Sequence, residues 1–142
     1  HDLRRKIQDK WQSLEGPAGM RVHLITFGFK YGMPAEADMV FDLRFLPNPY
    51  FEEALRPLSG KDEAVARYVL ESNAGAEFID HFLGFLSYLL PQFQREGRYR
   101  VTIGIGCTGG RHRSVSVAEL AHTKLGDLGY PSSLEHRHLE LG

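Results

Sequence analysis

Cysteine is almost absent from this chain. One residue, Cys107, stands in 142, so no disulfide can close within the chain. That fits a reducing compartment. No sign of charge dominates either: 17 Lys and Arg face 18 Asp and Glu, for a net charge of -1. A global basic field is thereby excluded, and any nucleic-acid contact needs a local patch. The most apolar stretch, residues 78–93, falls short of the roughly 20 residues a membrane span needs and carries Asp80 and His81. No signal-peptide pattern follows the opening His1-Asp2-Leu3-Arg4-Arg5-Lys6. The expectation is a cytoplasmic protein without a membrane partner, cut from a longer chain. A Walker A loop is missing too. The Gly-Lys pair Gly60-Lys61 has Leu55 where the first glycine belongs and Asp62 in place of Ser or Thr. ATP hydrolysis by this chain is not expected.

What is present suffices for one domain with a sizeable core: 42% of residues are hydrophobic and 25% charged. Leu3, Ile7, Trp11 and Leu14 follow helical spacing in a polar N-terminal helix, and Glu15-Gly16-Pro17-Ala18-Gly19 reads as a linker. The basic run Arg4-Arg5-Lys6 reads as a solvated helix face. Strands are expected over residues 21–29, 39–45, 99–106 and 134–139. Helices are expected from an Asp62 cap to about Glu71, over 76–95 and over 113–128. In the second helix Phe78, Phe82, Phe85, Leu89 and Phe93 follow helical spacing with Ile79, Leu83, Leu86 and Leu90 beside them, a face broad enough for deep burial, and Pro91 should kink or shorten its end. In the third, Val117, Ala118, Ala121, Leu125 and Leu128 point inward, and Gly129 ends it. Strands alternating with helices predict an α/β fold: a single three-layer domain with a largely parallel sheet.

The chemistry concentrates in Cys107-Thr108-Gly109-Gly110-Arg111-His112-Arg113-Ser114, between the third strand and the third helix. Ligands bind beyond the carboxyl ends of such strands, and a helix N-terminus presents unpaired amides and partial positive charge. Gly109 and Gly110 let the backbone curl close to a ligand. Thr108, Ser114 and His112 add donors, and Arg111 and Arg113 add guanidinium forks suited to phosphate. A bare glycine turn would not need these residues together; the loop reads as a phosphate-binding loop. The helix dipole contributes at most about 2 kcal/mol, and sub-millimolar binding needs roughly 4 kcal/mol, so the arginines must contribute.

The spacing Cys-x5-Arg-Ser also matches cysteine-dependent phosphatases, with Cys107 as nucleophile, Arg113 as phosphate clamp and Asp42 as general acid. Gly106 replaces the histidine that usually precedes that cysteine. Asp42 and Arg44 should share a strand face, either orienting a ligand or pairing with each other. Lys30, Tyr31, Asn48 and Tyr50 sit in loops that can reach the same cleft. His136 and His138 share a face of the last strand, but no cysteine or carboxylate spacing supports a metal site. No metal and no cofactor is expected.

Four collinear blocks resemble the RapZ/YvcJ family: Thr26-Phe27-Gly28-Phe29-Lys30-Tyr31-Gly32, Phe41-Asp42-Leu43-Arg44-Phe45-Leu46-Pro47-Asn48-Pro49, Arg56-Pro57-Leu58-Ser59-Gly60, and Ile105 through Val115. The closing Glu135-His136-Arg137-His138 fits as well. The resemblance implies a C-terminal domain that in the whole protein follows a P-loop nucleotide-binding domain. Residues 1–19 would be the interdomain helix and linker, and residues 20–142 the ligand- and RNA-binding domain. It implies a non-enzymatic sensor of a phosphorylated amino sugar, such as glucosamine-6-phosphate, or of a UDP-amino sugar such as UDP-GlcNAc, in control of amino-sugar metabolism. In enterobacteria it also implies small-RNA binding and delivery to an RNase. Carried over by motif, the sugar-phosphate pocket would use Thr108, Gly109, Gly110, His112, Arg113 and Ser114 with Asp42 and Cys107 nearby. Lys30 and Arg111 would touch RNA. Two departures stand out: Tyr50 replaces an enterobacterial histidine, and the tail Leu139-Glu140-Leu141-Gly142 lacks the basic end. Loss of basic residues weakens the RNA expectation more than the ligand one. A homo-oligomer is compatible with the sequence.

Overall fold

A computed structural model describes residues 19–141; the helix expected over residues 2–14 lies outside them. Strand β1 is Arg21–Gly28, β2 Met39–Asp42, β3 Arg100–Cys107 and β4 Ser132–His136. Helix α1 is Glu63–Leu70, α2 Asn73–Glu96 and α3 Arg113–Asp127. The strands make one sheet in the order β2-β3-β1-β4, parallel throughout. The α/β fold with a parallel sheet is therefore the fold found.

Register places Val22, Leu24, Val101, Ile103 and Ile105 on one sheet face. They share a core with Val65 and Val69 of α1, Ile79, Phe82, Leu86 and Leu90 of α2, and Val117, Ala121 and Leu125 of α3. All three described helices thus cover the same face. The other face carries Ile25, Phe27, Gly104 and Gly106. There the third layer is a loop, residues 29–38: Phe29 lies against Gly106, and Pro34 against Gly104. A Cβ on Gly106 would stand 2.4 Å from Phe27 Cζ, so the glycine makes room for that ring. The far end of the loop is pinned by Glu36, whose carboxylate pairs with Arg137 at 2.7 Å. That ion pair holds the Glu36 carboxyl down at about 2.

The strand order explains the loop's side. From β2 to β3 and from β3 to β4 the chain moves one way across the sheet, with helices on one face. From β1 to β2 it moves back, so the same connection hand requires passage over the opposite face.

Several elements differ from expectation. β2 stops at Asp42, because the Asp42 carboxylate accepts from Arg44 N and turns the chain. Asp62 precedes α1, but its side chain accepts from Ser59 N and caps nothing in the helix. α2 starts earlier, where Ser72 Oγ accepts from Gly75 N. It runs through Pro91 to Glu96 without being shortened. Ile79, Phe82, Leu86 and Leu90 of the expected face are buried, but Phe85 is exposed, its ring centre 6.5 Å from that of Phe41 on the edge strand. Leu128 is exposed because α3 ends at Asp127, and Tyr130 is buried instead. The last strand ends at His136, before His138.

Candidate functional site

β1 and β3 are neighbours at the sheet centre, and their exits diverge. The chain leaving β1 passes to the loop face, and the chain leaving β3 enters α3 on the helix face. That divergence opens a crevice at the carboxyl ends of the strands, the usual ligand position in such sheets. Residues 108–112 fill one wall of it.

The loop is held from three sides. Lys30 N donates to Thr108 O at 3.3 Å, tying it to the exit of β1. Gly110 has φ of +76° and packs so closely on β1 that a Cβ would stand 2.6 Å from Gly28 N. Gly60 N donates to Arg111 O at 2.8 Å, and Ser116 Oγ donates to Gly60 O at 2.9 Å. The block Arg56-Pro57-Leu58-Ser59-Gly60 is thus a buttress of this loop, a role its sequence did not reveal. Arg111 completes it, donating to Pro57 O at 2.7 Å, Leu58 O at 3.1 Å and Leu139 O at 3.3 Å.

A cavity of about 270 Å³ opens here, lined by Cys107, Thr108, Gly109, Arg111, His112 and Arg113 from the loop. Lys30, Asn48 and Tyr50 line it from the other connections. Among the described residues three cations and no carboxylate face the space, a local positive field in a chain with net charge of -1. Among the described residues the amides of Gly109, Gly110, Arg111 and His112 donate to no protein acceptor. His112, at the N-cap of α3, makes no side-chain cap hydrogen bond. These free donors at a helix N-terminus are chemically suited to an anion.

Other expected site residues lie outside the lining. Gly110 stands behind the loop, against β1. Ser114 is buried, with its hydroxyl 3.2 Å from Cys107 Sγ. Asp42 is outside the cavity, its carboxylate clamped by Arg44 Nε and Nη2 at 2.9 and 2.7 Å. The Arg44 guanidinium holds its carboxyl below the ordinary value of 3.8. Tyr31 turns instead to Leu141 O at 2.8 Å. Asn48 Oδ1 accepts from Tyr50 N, and the Arg56 guanidinium lies 4.8 Å from the Tyr50 ring centre.

Arg113 is nearly fully buried. Nη1 donates to Arg44 O at 2.9 Å and Leu46 O at 3.2 Å, and Nη2 to Thr108 Oγ1 at 3.3 Å. Three of five guanidinium hydrogens are so used, leaving the rest for a ligand. His112 Nε2 meets Arg56 O at 3.2 Å. Burial pushes its pKa below 6.5, with Arg111 and Arg113 adding repulsion, so it is neutral at pH 7 and offers a hydrogen bond rather than a charge. The other histidines of interest are also engaged. His136 bridges Thr26 Oγ1 at 2.8 Å and Glu119 Oε2 at 2.7 Å, and His138 Nδ1 accepts from Gly28 N at 2.8 Å. Among the described residues no group of three or more His, Cys, Asp or Glu could hold a metal ion, and no helix is long and apolar enough to cross a membrane.

Comparison with known proteins places the chain in a family. The chain is 63% identical over 143 residues to a nucleotide-binding protein of Nitratidesulfovibrio vulgaris, covering 100% of this chain and 49% of that protein. It is 57% identical over 143 residues to nucleotide-binding protein LI0459 of Lawsonia intracellularis, covering 100% and 44%. It is 47% identical over 140 residues to nucleotide-binding protein YvcJ of Bacillus subtilis, covering 98% and 46%. The chain therefore spans about half the length of these relatives. Residues 20–140 match the RapZ C-terminal domain, and the chain belongs to that family.

Proposed function

We propose that this domain is a regulatory, non-catalytic sensor that binds a phosphorylated amino sugar or a UDP-amino sugar. The observation that carries the reading is the cleft itself: among the described residues three cations, no carboxylate and unbonded loop amides meet where β1 and β3 diverge. The phosphate sits on residues 108–113, and the sugar extends toward Asn48 and Tyr50. The cavity, at about 270 Å³, lies just under the roughly 300–1,000 Å³ of drug-sized sites, so it suits a hexose phosphate. A UDP-sugar would protrude past Tyr50. In this reading the nucleotide-binding name of the relatives belongs to the half of their length that this chain does not cover. That half would be a P-loop domain joined through residues 1–19. Calorimetric titration with glucosamine-6-phosphate and UDP-N-acetylglucosamine tests the proposal. Saturable heat with either supports it, and none at millimolar concentration contradicts it.

A second reading is an RNA-binding RNase adapter. Its support is a set of cation–aromatic pairs: Lys30 with Tyr31, Arg44 with Phe29 and Arg56 with Tyr50. Such pairs suit stacked single-stranded bases. Lys30 is exposed and available, whereas Arg111 spends its fork on three carbonyls. Cysteine-phosphatase chemistry has one favourable contact, Cys107 with Ser114. It lacks its acid, since Asp42 is ionised and tied to Arg44.

A further inference from the structure

The segment that follows β4 is tied to both walls of the crevice. Arg137 N continues the ladder to Thr26 O at 3.0 Å. His138 then accepts from the Gly28 amide, at the exit of β1. Leu139 O accepts from Arg111, on the anion loop, and Leu141 O accepts from the Tyr31 hydroxyl. Residues 137–141 therefore join the two strand exits whose separation defines the cleft. Arg111 is the sole described side chain that both lines the cavity and donates to this segment.

We propose that Arg111 is a positioning residue that couples the segment 137–141, acting as a strap, to the anion loop, so that a seated strap and an occupied loop favour each other. This rests on the phosphate reading of the cleft. The carbonyls of Pro57, Leu58 and Leu139 fix the plane of the guanidinium before any ligand arrives. Its remaining hydrogens are thereby held in one direction, and a ligand gains a preorganised donor without ordering a long side chain. Release of Leu139 O removes one of the three carbonyls that fix that side chain, loosens the plane of its guanidinium and weakens the loop's hold. By linkage, an anion that uses Arg111 must hold the strap down by the same factor. The strap then reports cleft occupancy from outside the cavity lining.

The test is amide hydrogen exchange over residues 108–112 and 137–141, with calorimetry in parallel, on the 142-residue chain. Glucosamine-6-phosphate, UDP-N-acetylglucosamine and inorganic phosphate are the probes. Saturating ligand should slow strap exchange by about fivefold or more. Tyr31→Phe removes one hydroxyl outside the cavity lining. It should speed strap exchange and weaken ligand affinity by a similar factor while the melting temperature holds. Arg111→Lys keeps the charge but not the fork, and should uncouple the two, leaving residual binding that no longer slows the strap. Heat on binding without any strap response overturns the coupling alone. Faster strap exchange in Tyr31→Phe with unchanged affinity does the same. Absence of heat with all three probes contradicts the phosphate reading and overturns the coupling with it.

Discussion

Gly110 packs its backbone against that of Gly28: a Cβ on Gly110 would stand 2.6 Å from Gly28 N, at a φ of +76°. The loop of residues 108–112 therefore approaches β1 closer than any side chain permits. Gly110→Ala should destabilise the fold by roughly 2–5 kcal/mol, combining left-handed strain with a clash against unyielding backbone. Urea denaturation measures it. A variant within about 0.5 kcal/mol of wild type would show that the loop is not seated as described.

Arg113 is a strut as well as a proposed ligand contact. Arg113→Ala leaves Leu46 O and Arg44 O without their donor, and should cost roughly 2–4 kcal/mol of stability. Lys30→Ala, at an exposed position, should leave stability within about 0.5 kcal/mol while weakening phosphate binding. Thermal unfolding and calorimetry of the pair separate the roles. If Arg113→Ala melts like wild type, the strut is wrong.

In the proposed reading Cys107 neighbours the ligand and does not attack it. Cys107→Ala should keep glucosamine-6-phosphate affinity within about threefold of wild type, a change of roughly 0.7 kcal/mol. Neither protein should hydrolyse p-nitrophenyl phosphate. Turnover by wild type that disappears in the variant would restore the phosphatase reading.

Stability should fall as pH drops from about 7.5 to 5.5. His112 and His138 have pKa values pushed below 6.5, chiefly by burial. In that window the unfolded chain binds protons that the folded chain resists, so acid favours unfolding. The carboxyls of Glu36, Asp42 and Glu135 are lowered below their ordinary 4.5, 3.8 and 4.5. Their stabilisation is complete above those values and is lost only as pH falls below them, so the two ranges separate. Urea midpoints across pH check this, and a flat profile between 7.5 and 5.5 would contradict the buried, neutral histidines.

Any RNA contact through the cation–aromatic pairs should weaken steeply with salt, by about one unit of slope per phosphate neutralised. A mobility-shift series reads the slope, and Lys30→Ala should reduce it. Binding indifferent to salt would discard the adapter reading.

Much of the fold was legible because periodicity carries it. The run Val22, Leu24, Ile25, Phe27 marks β1, and Val117 to Leu125 marks the inner face of α3. The loop that lines the cavity was legible because its glycines and arginines stand together in one segment. The duties of those arginines were not. Arg111 and Arg113 spend much of their donor capacity on carbonyls of Pro57, Leu58, Leu139, Arg44 and Leu46. Those carbonyls meet the loop only in the folded chain. Phe85 was misplaced for a related reason: helical spacing marks an apolar stripe, but the width of the sheet beneath decides how much of it is covered. Asp62 looked like a cap because capping residues and turn residues are the same types, and here the turn took the side chain.

Amide chemical-shift mapping with glucosamine-6-phosphate tests the central claim most directly. The largest saturable shifts should fall on residues 108–113 and Lys30, at the cleft between β1 and β3. Shifts gathered elsewhere, such as around Phe45, Phe78 and His81, with the loop amides unmoved, would contradict it.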